Sequence, residues 1–185
     1  GSESGQVFGI RLTDGAVVFH VKAEPADVTV ETTPVIDNGK IYFGTFNGVM
    51  YAYDLSTGLK VWAYDTRQDY NFYPNWVNAI ESEAVVWNGA LYFAGRSSTL
   101  YSLNPETGAR NWLYHDGGDY WLRGGPVIQD STLYLGSSLQ SCIHAFDPFT
   151  GGLIWKQAVD FVVYGRPSVD GDFVFFGTSD ETFLT

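Results

Sequence analysis

The stretch that decides the fold is YDLSTGLKVW, residues 53–62. It returns as LNPETGARNW at residues 103–112 and as FDPFTGGLIW at residues 146–155, and a weaker copy, LTDGAVVF, occupies residues 12–19. The aromatic residues that close the four copies are 43, 50 and 43 residues apart, in the order Phe19, Trp62, Trp112 and Trp155. The chain is therefore built from a repeat.

Each copy has the pattern of two β-strands joined by a tight turn. The Thr-Gly pair favours the turn because glycine takes a positive φ without a steric penalty. A period of this length, with short β-type runs inside it, is typical of a β-propeller. We therefore predict an all-β fold, a β-propeller of four-stranded antiparallel blades with about four blades per chain. The closing aromatics are predicted to pack between neighbouring blades: Phe19, Trp62, Trp112 and Trp155.

A second motif precedes the turn. The pattern G-x-x-x-G-x-hydrophobic-hydrophobic-A runs from Gly44 to Ala52, and the unit D-x-x-T-G-x-x-x-W follows it. With these motifs the chain resembles, over nearly its whole length, the PQQ-like or tryptophan-docking repeat family. The resemblance implies the propeller of the eight-bladed quinoprotein alcohol dehydrogenases and of a non-catalytic outer-membrane assembly lipoprotein. It also implies a periplasmic or extracellular location, but the family's enzymes, scaffolds and sensors leave the function open.

The strand patterns predict incomplete blades at both ends of the chain. We expect a partial blade at residues 1–22, complete blades at about 31–65, 82–114 and 124–158, and a second partial blade at 165–185. The first partial blade has outer strands and the last has inner strands, so the two halves complement each other. Three assemblies fit this pattern: a homodimer that completes an eight-bladed ring, a fragment of a longer propeller, and a four-bladed ring.

Composition excludes several classes of partner. The formal net charge is −11 and the pI is about 4.4, so nucleic acid and anionic membrane surfaces would be repelled. No window of 18 uncharged apolar residues offers a membrane helix, so no membrane insertion is expected. Cys142 is the single cysteine, which excludes an intrachain disulfide and favours a small buried strand residue.

The links between successive blades carry the candidate binding residues. Each link joins the outer strand of one blade to the inner strand of the next, and all of them are expected at one rim of the propeller. Aromatic side chains mixed with Asp and Arg on such loops suit a small molecule or a protein partner. The alternative is that these rings pack beneath the loops and hold them in place. The candidates are Tyr70, Phe72, Tyr73, Trp76, Asp119, Tyr120, Trp121, Arg123, Tyr164 and Arg166.

Metal and catalytic motifs are not apparent. The acidic, glycine-rich segments at residues 116–119 and 170–172 lack the alternating oxygen ligands of a calcium loop, and turn chemistry explains both. His20, His115 and His144 have no ligand spacing for zinc. There is no G-x-S-x-G elbow, phosphate-binding loop or dinucleotide motif. We therefore expect no catalytic residue, no metal and no cofactor.

The enzyme branch of the family is the alternative that makes the most specific demands on the sequence. The resemblance implies that a quinoprotein dehydrogenase has a ring-stacking vicinal disulfide, a calcium held by Glu, Asn and Asp, and a catalytic Asp. One cysteine cannot form that disulfide, although Trp76 or Trp121 offers a ring for stacking. We therefore predict a non-enzymatic binding or scaffold module for a protein or small-molecule partner. The alternatives are an extracellular ligand-sensing domain and a fragment of a PQQ-dependent dehydrogenase.

Overall fold

The computed structural model describes residues 2, 4–24, 28–69, 78–115, 117, 121–138 and 140–179. Within these ranges the regular structure is β-strand, apart from 3-10 turns at Thr66–Gln68 and at Asn78. The predicted all-β fold is confirmed. No helix among the described residues has the length and apolar character needed to cross a membrane.

The strands follow one another closely along the chain. In chain order they are β1 (Gln6–Ile10), β2 (Val17–Lys22), β3 (Val35–Asp37), β4 (Lys40–Gly44), β5 (Val49–Asp54), β6 (Lys60–Asp65), β7 (Val85–Trp87), β8 (Ala90–Gly95), β9 (Thr99–Leu103), β10 (Arg110–His115), β11 (Val127–Gln129), β12 (Thr132–Ser137), β13 (Cys142–Phe146), β14 (Leu153–Ala158), β15 (Ser168–Asp170) and β16 (Phe173–Phe175).

These strands form a partial propeller. Three antiparallel sheets have four strands each, β3 to β6, β7 to β10 and β11 to β14, and in each sheet the strand order follows the chain. They are the three complete blades. Two further sheets have two strands each, β1–β2 and β15–β16. The predicted architecture of about four blades is confirmed.

In each complete blade, the residues between the first and second strands account for the tight hairpin there. Asn38 and Gly39 have φ values of 44° and 72°, and Asn88 and Gly89 have 48° and 74°. Two successive positive φ values match the right-handed twist of the strands on either side, and Asn-Gly adopts them readily. The third blade uses residues 130 and 131, an Asp-Ser pair, in the same left-handed region.

The Thr-Gly turn of each blade is closed by its first polar residue. The Asp54 Oδ1 atom accepts hydrogen bonds from the backbone N–H and the hydroxyl of both Ser56 and Thr57. These hydrogen bonds lower the pKa of Asp54 to about 2, and the bond from the Ser56 hydroxyl contributes most, with the bonds from Thr57 next. Asn104 and Asp147 accept the equivalent backbone bonds in the next two copies. The repeated Asp or Asn is thus a structural acceptor.

Burial explains why the middle strands are apolar without alternation. β8, β9 and β13 are buried at every position, because both of their faces lie against other blades. The outer strand β14 is exposed at every position. The core therefore lies between the blades as well as within them.

Trp62 joins the first complete blade to the second. Its indole Nε1–H donates to the carbonyl oxygen of Pro105 at 2.9 Å, and the Tyr42 hydroxyl donates to the same oxygen at 3.2 Å. A Cβ atom on Gly108 would lie 2.7 Å from Cδ2 of the indole, so only glycine fits there. The ring is 8% exposed. One blade's indole therefore packs directly on the Thr-Gly turn of the next.

Trp112 repeats this contact one blade further on. Its Nε1–H donates to the Pro148 carbonyl at 3.0 Å, and the Tyr92 hydroxyl donates to it at 3.1 Å. A Cβ atom on Gly151 would lie 2.6 Å from the Trp112 ring. The two contacts use the same four groups: an indole, a tyrosine hydroxyl, a carbonyl and a glycine.

Phe19 and Trp155 do not make this contact within the described residues. Phe19 is half-buried and packs on the cluster that includes Val21 and Tyr53, but the nearest atom to a Cβ on Gly58 is Val21 Cγ1, at 3.9 Å. A phenyl ring is smaller than an indole and has no N–H to donate. Trp155 is 39% exposed, because no Thr-Gly turn of the described chain covers it.

Candidate functional site

The two ends of the blades carry different connections. The Asn-Gly and Thr-Gly turns lie together at one end, as shown by the hydrogen bond from Leu55 N–H to the Gly39 carbonyl. We call this end the turn face. The interblade links lie at the other end, beside the β4–β5 and β8–β9 turns, where Ile80 N–H donates to the Thr45 carbonyl. We call that end the link face.

The link face contains part of the predicted binding rim. Six of the candidates lie outside the described residues: Tyr70, Phe72, Tyr73, Trp76, Asp119 and Tyr120. Of the other four, the structure brings together Trp121, Arg123 and Tyr164. The fourth, Arg166, lies 3.5 Å from Glu83 in an exposed ion pair. The rim therefore has a described centre around Trp121.

Glu81 organises this centre. Its side chain is 8% exposed, and Arg96 contacts it in a bidentate pair, with Nε 2.5 Å from Oε2 and Nη2 2.7 Å from Oε1. Arg123 Nη2 lies 3.0 Å from Oε1. The neighbouring backbone is fixed by Ser82, whose hydroxyl donates to the Ala94 carbonyl and accepts from its N–H. One buried carboxylate therefore positions two guanidinium groups.

Aromatic rings alternate with these two arginines. The Arg96 guanidinium lies 4.9 Å from the Phe46 ring centre and 4.7 Å from that of Trp121. The Arg123 guanidinium lies 5.7 Å from the Trp121 ring and 5.6 Å from the Tyr164 ring. Distances of this size allow cation–π attraction at every step. We call the series Phe46, Arg96, Trp121, Arg123 and Tyr164 the Arg–aromatic stack.

The stack is fastened to three blades. Phe46 lies in the β4–β5 turn, Arg96 in the β8–β9 turn, and Trp121 in the link that leads to β11. The Trp121 carbonyl accepts from the N–H and the hydroxyl of Ser138, at 3.0 and 2.8 Å. These contacts hold the stack against the blades.

A cleft opens beside the stack. It has a volume of about 380 Å³ and is lined by Glu31, Glu81, Arg123 and Tyr164. Two carboxylates, a guanidinium and a phenol offer charge and hydrogen bonds of both signs, with an aromatic surface on one side. Such a cleft suits a peptide segment or a polar small molecule.

Glu81, Arg96 and Phe46 were not among the residues predicted from sequence. A signal for Glu81 was present, since Glu31 and Glu81 hold the same repeat position. Each directly precedes a hydroxyl residue, Thr32 or Ser82, that binds the second strand of its blade. No equivalent sequence signal marks Phe46. Its ring takes part in the site only through its contact with Arg96, which belongs to the next blade.

A second polar cleft lies on the seam between the first two complete blades. It is lined by Tyr64, Gln68, Asp69 and Arg110 and has a volume of about 360 Å³. Tyr64 donates to Asp69 at 2.5 Å, and Arg110 contacts the same carboxylate. Burial, assisted by Asp69, raises the pKa of Tyr64 to about 12, so its hydroxyl remains a donor at neutral pH. These contacts fasten the seam.

The described residues do not assemble a metal site. No group of three or more His, Cys, Asp or Glu side chains among them is placed to hold an ion. Cys142 is buried in β13, as predicted, and its sulfur lies 3.7 Å from Nε2 of His144.

Comparison with known proteins identifies the family. The family described as outer membrane protein assembly factor BamB matches residues 1–119 and 115–185, which together span the chain. The chain belongs to this family. The predicted resemblance to PQQ-like propellers is thereby confirmed, and no curated protein matches the chain significantly.

Solved structures agree with a BamB-type propeller. BamB from Moraxella catarrhalis has a TM-score of 0.73 at 23% identity, covering 96% of this chain and 50% of that one. The designed protein Ika8 has a TM-score of 0.76 at 13% identity, covering 96% and 51%. Quinohemoprotein alcohol dehydrogenase from Comamonas testosteroni has 0.60 at 24% identity, covering 70% and 21%. The chain thus spans about half of BamB and Ika8 and about a fifth of the dehydrogenase, and the likeness shows the fold.

Proposed function

We propose that this chain is a non-catalytic scaffold that binds a protein partner in the periplasm, and that the partner contacts the link face around the Arg–aromatic stack. Membership of the BamB family supports a protein-binding role, since that family is described as an assembly factor of the outer membrane. The same description supports a periplasmic location. Neither the protein-binding role nor the periplasmic location follows from the fold alone, because this fold occurs with several functions.

The observation that carries the proposal is the Arg–aromatic stack itself. Tryptophan, tyrosine and arginine are the residues that contribute most often to the energy of protein interfaces. Here Trp121, Arg123 and Tyr164 meet at the surface, half-buried, and Arg123 is held by a buried carboxylate. Binding a partner should cost little side-chain conformational entropy, because contacts within the chain already restrict these side chains.

The chemistry of the described side chains supports a non-catalytic role. Cys142, the only cysteine, is buried and cannot form the vicinal disulfide that the quinoprotein resemblance implies. Among the described residues, no group of three or more His, Cys, Asp or Glu side chains is placed to hold the calcium ion implied for that branch.

Site-specific photo-crosslinking tests the proposal. The chain would be exported to the periplasm of a Gram-negative host with p-benzoylphenylalanine in place of Tyr164. We expect irradiation to yield discrete protein adducts, because position 164 lies at the exposed end of the stack. The matched control carries the same photoreactive residue in place of Phe149, which is 58% exposed on the turn face, and should yield none of these adducts.

Two further arms make the result decisive. Adding Arg123→Ala to the Tyr164 crosslinker variant should reduce the adducts, because it removes the cation between the two outer rings. Adducts that appear equally from positions 149 and 164 would contradict a specific link-face surface. No adduct from position 164, with the variant folded and present in the periplasm, would contradict the proposed function.

A further inference from the structure

The cleft beside the Arg–aromatic stack is lined by one residue from each of four successive links. These residues are Glu31, Glu81, Arg123 and Tyr164. Each lies four residues before the first strand of a blade, which is β3, β7, β11 or β15. The four side chains therefore hold the same repeat position, and the cleft is a feature of the repeat rather than of one irregular loop.

This repeat position places the cleft where the first strands of the blades converge. β3 contacts β7, and β11 contacts β15. Two residues further along the links, the Glu83 carboxylate accepts from the Thr33 hydroxyl at 2.9 Å and lies 3.5 Å from Arg166 Nη1. Glu83 and Arg166 precede blades that are not neighbours, because the blade of β11 lies between them. Such side chains can meet only near the axis of a propeller, so the cleft is the link-face mouth of its central channel.

The polar groups at this mouth are unequally paired. Glu81 binds both Arg96 and Arg123. The Glu31 side chain is exposed, and no cation or hydrogen-bond donor of the described chain contacts its carboxylate. The Tyr164 hydroxyl likewise has no hydrogen-bond partner among the residues that the structure describes. A carboxylate and a phenol that line the same cleft are therefore open to a partner.

A lysine or arginine side chain fits these two groups. A carboxylate forms short, charge-assisted hydrogen bonds with an ammonium or guanidinium group. The face of a phenol ring attracts the same cation. Arg123 is held 3.0 Å from Glu81, which reduces the repulsion between its guanidinium and an incoming cation. The net charge of −11 also favours the approach of a basic partner.

We propose that the protein partner inserts a lysine or arginine side chain into the mouth of the central channel. The Glu31 carboxylate binds the cationic group, and the Tyr164 ring packs against it. This inference rests on the proposed function, because it names the chemistry of the partner at the same surface. It also extends that surface, since Glu31 lies outside the Arg–aromatic stack, in the link that leads to the first complete blade.

Short peptides test this chemistry directly. The probes are N-acetylated, C-terminally amidated pentapeptides of glycine with Lys, Arg, Gln or Glu at the centre. Each is added to the 15N-labelled chain at low salt, and NMR follows the backbone amide signals of Glu31, Arg123 and Tyr164. We expect the Lys and Arg peptides to shift these signals with a Kd of about 1–10 mM, a range that suits a single side chain. The Gln and Glu peptides should bind at least about tenfold more weakly.

Glu31→Gln is the decisive variant, and Asp160→Asn is its matched control. Asp160 is exposed in the link between β14 and β15 and does not line the cleft. The two variants change the net charge equally, and both side chains are exposed, so both variants should fold. Glu31→Gln should weaken the Lys and Arg peptides about tenfold, whereas Asp160→Asn should leave their affinity unchanged.

Three results would overturn the inference. They are the absence of any shift at about 20 mM peptide, equal shifts from the Lys and Glu peptides, and equal effects of Glu31→Gln and Asp160→Asn. Each would leave the proposed function standing wherever the crosslinker at position 164 still yields its adducts. In that crosslinking experiment, Glu31→Lys should reduce the adducts about tenfold and Asp160→Lys should not, because only the first places a like charge against the inserted cation.

Discussion

Replacing Trp62 by alanine is expected to lower the free energy of unfolding by roughly 3–5 kcal/mol. The substitution leaves a cavity between two blades, because the ring is almost completely buried against Gly108 and Tyr42. It also removes the Nε1–H donor to the Pro105 carbonyl. Urea denaturation followed by far-UV circular dichroism measures the loss.

Trp155→Ala is the matched control for this prediction. The residue type and the repeat position are the same, but Trp155 is 39% exposed and has no turn on its ring. The substitution should cost less than about 1 kcal/mol. Equal losses at the two positions would show that the contact of Trp62 with the next blade does not stabilise the fold, which would contradict the role given to this contact.

Glu81→Gln is expected to produce the second large loss, roughly 3–5 kcal/mol, because it leaves Arg96 and Arg123 without their shared carboxylate. The cost arises from removing one partner of a buried ion pair while the others stay in place. Arg96 is 12% exposed and is packed between Phe46 and Trp121, so water cannot replace the carboxylate fully. The same denaturation experiment measures it.

Glu83→Gln provides a control two residues away. Its carboxylate is 45% exposed, 3.5 Å from Arg166, and its loss should cost less than about 1 kcal/mol, as for other surface pairs. In the crosslinking experiment, Glu81→Gln should also reduce the adducts from position 164, whereas Glu83→Gln should not. Similar stabilities for the two variants would contradict the role of Glu81 as the centre of the link face.

The sequence predicted the fold through residues whose local and long-range roles agree. The Thr-Gly pairs require a positive φ at glycine, and the same glycines leave space for the indole of the preceding blade, as at Gly108. The Asn88-Gly89 hairpin is specified by its own two residues. Because each blade repeats these features, an error in one copy could not change the overall assignment.

The link face could be predicted only in part. Trp121, Arg123 and Tyr164 were found because aromatic and charged residues on long loops stand out in a repeat sequence. Glu81 and Arg96 were missed because a charged residue on a loop is ordinarily solvated, and only the packing of two blades buries this pair. Phe19 and Trp155 show a second limit of prediction from sequence. Both occupy the repeat position of Trp62, but a contact between blades also depends on the residues of the neighbouring blade.

The most direct test of the account is the exchange of the indole N–H protons in protein labelled with 15N-tryptophan, assigned through single Trp→Phe variants. The first two complete blades are each joined to the next blade by an indole that donates to a carbonyl of the Thr-Gly turn. We therefore expect the Trp62 and Trp112 N–H signals to exchange slowly, because the Pro105 and Pro148 carbonyls accept them. The Trp155 signal should exchange fast, because its ring is 39% exposed and no turn of the described chain covers it. Exchange of the Trp62 and Trp112 signals at the rate of free tryptophan would contradict this description of the contacts between blades.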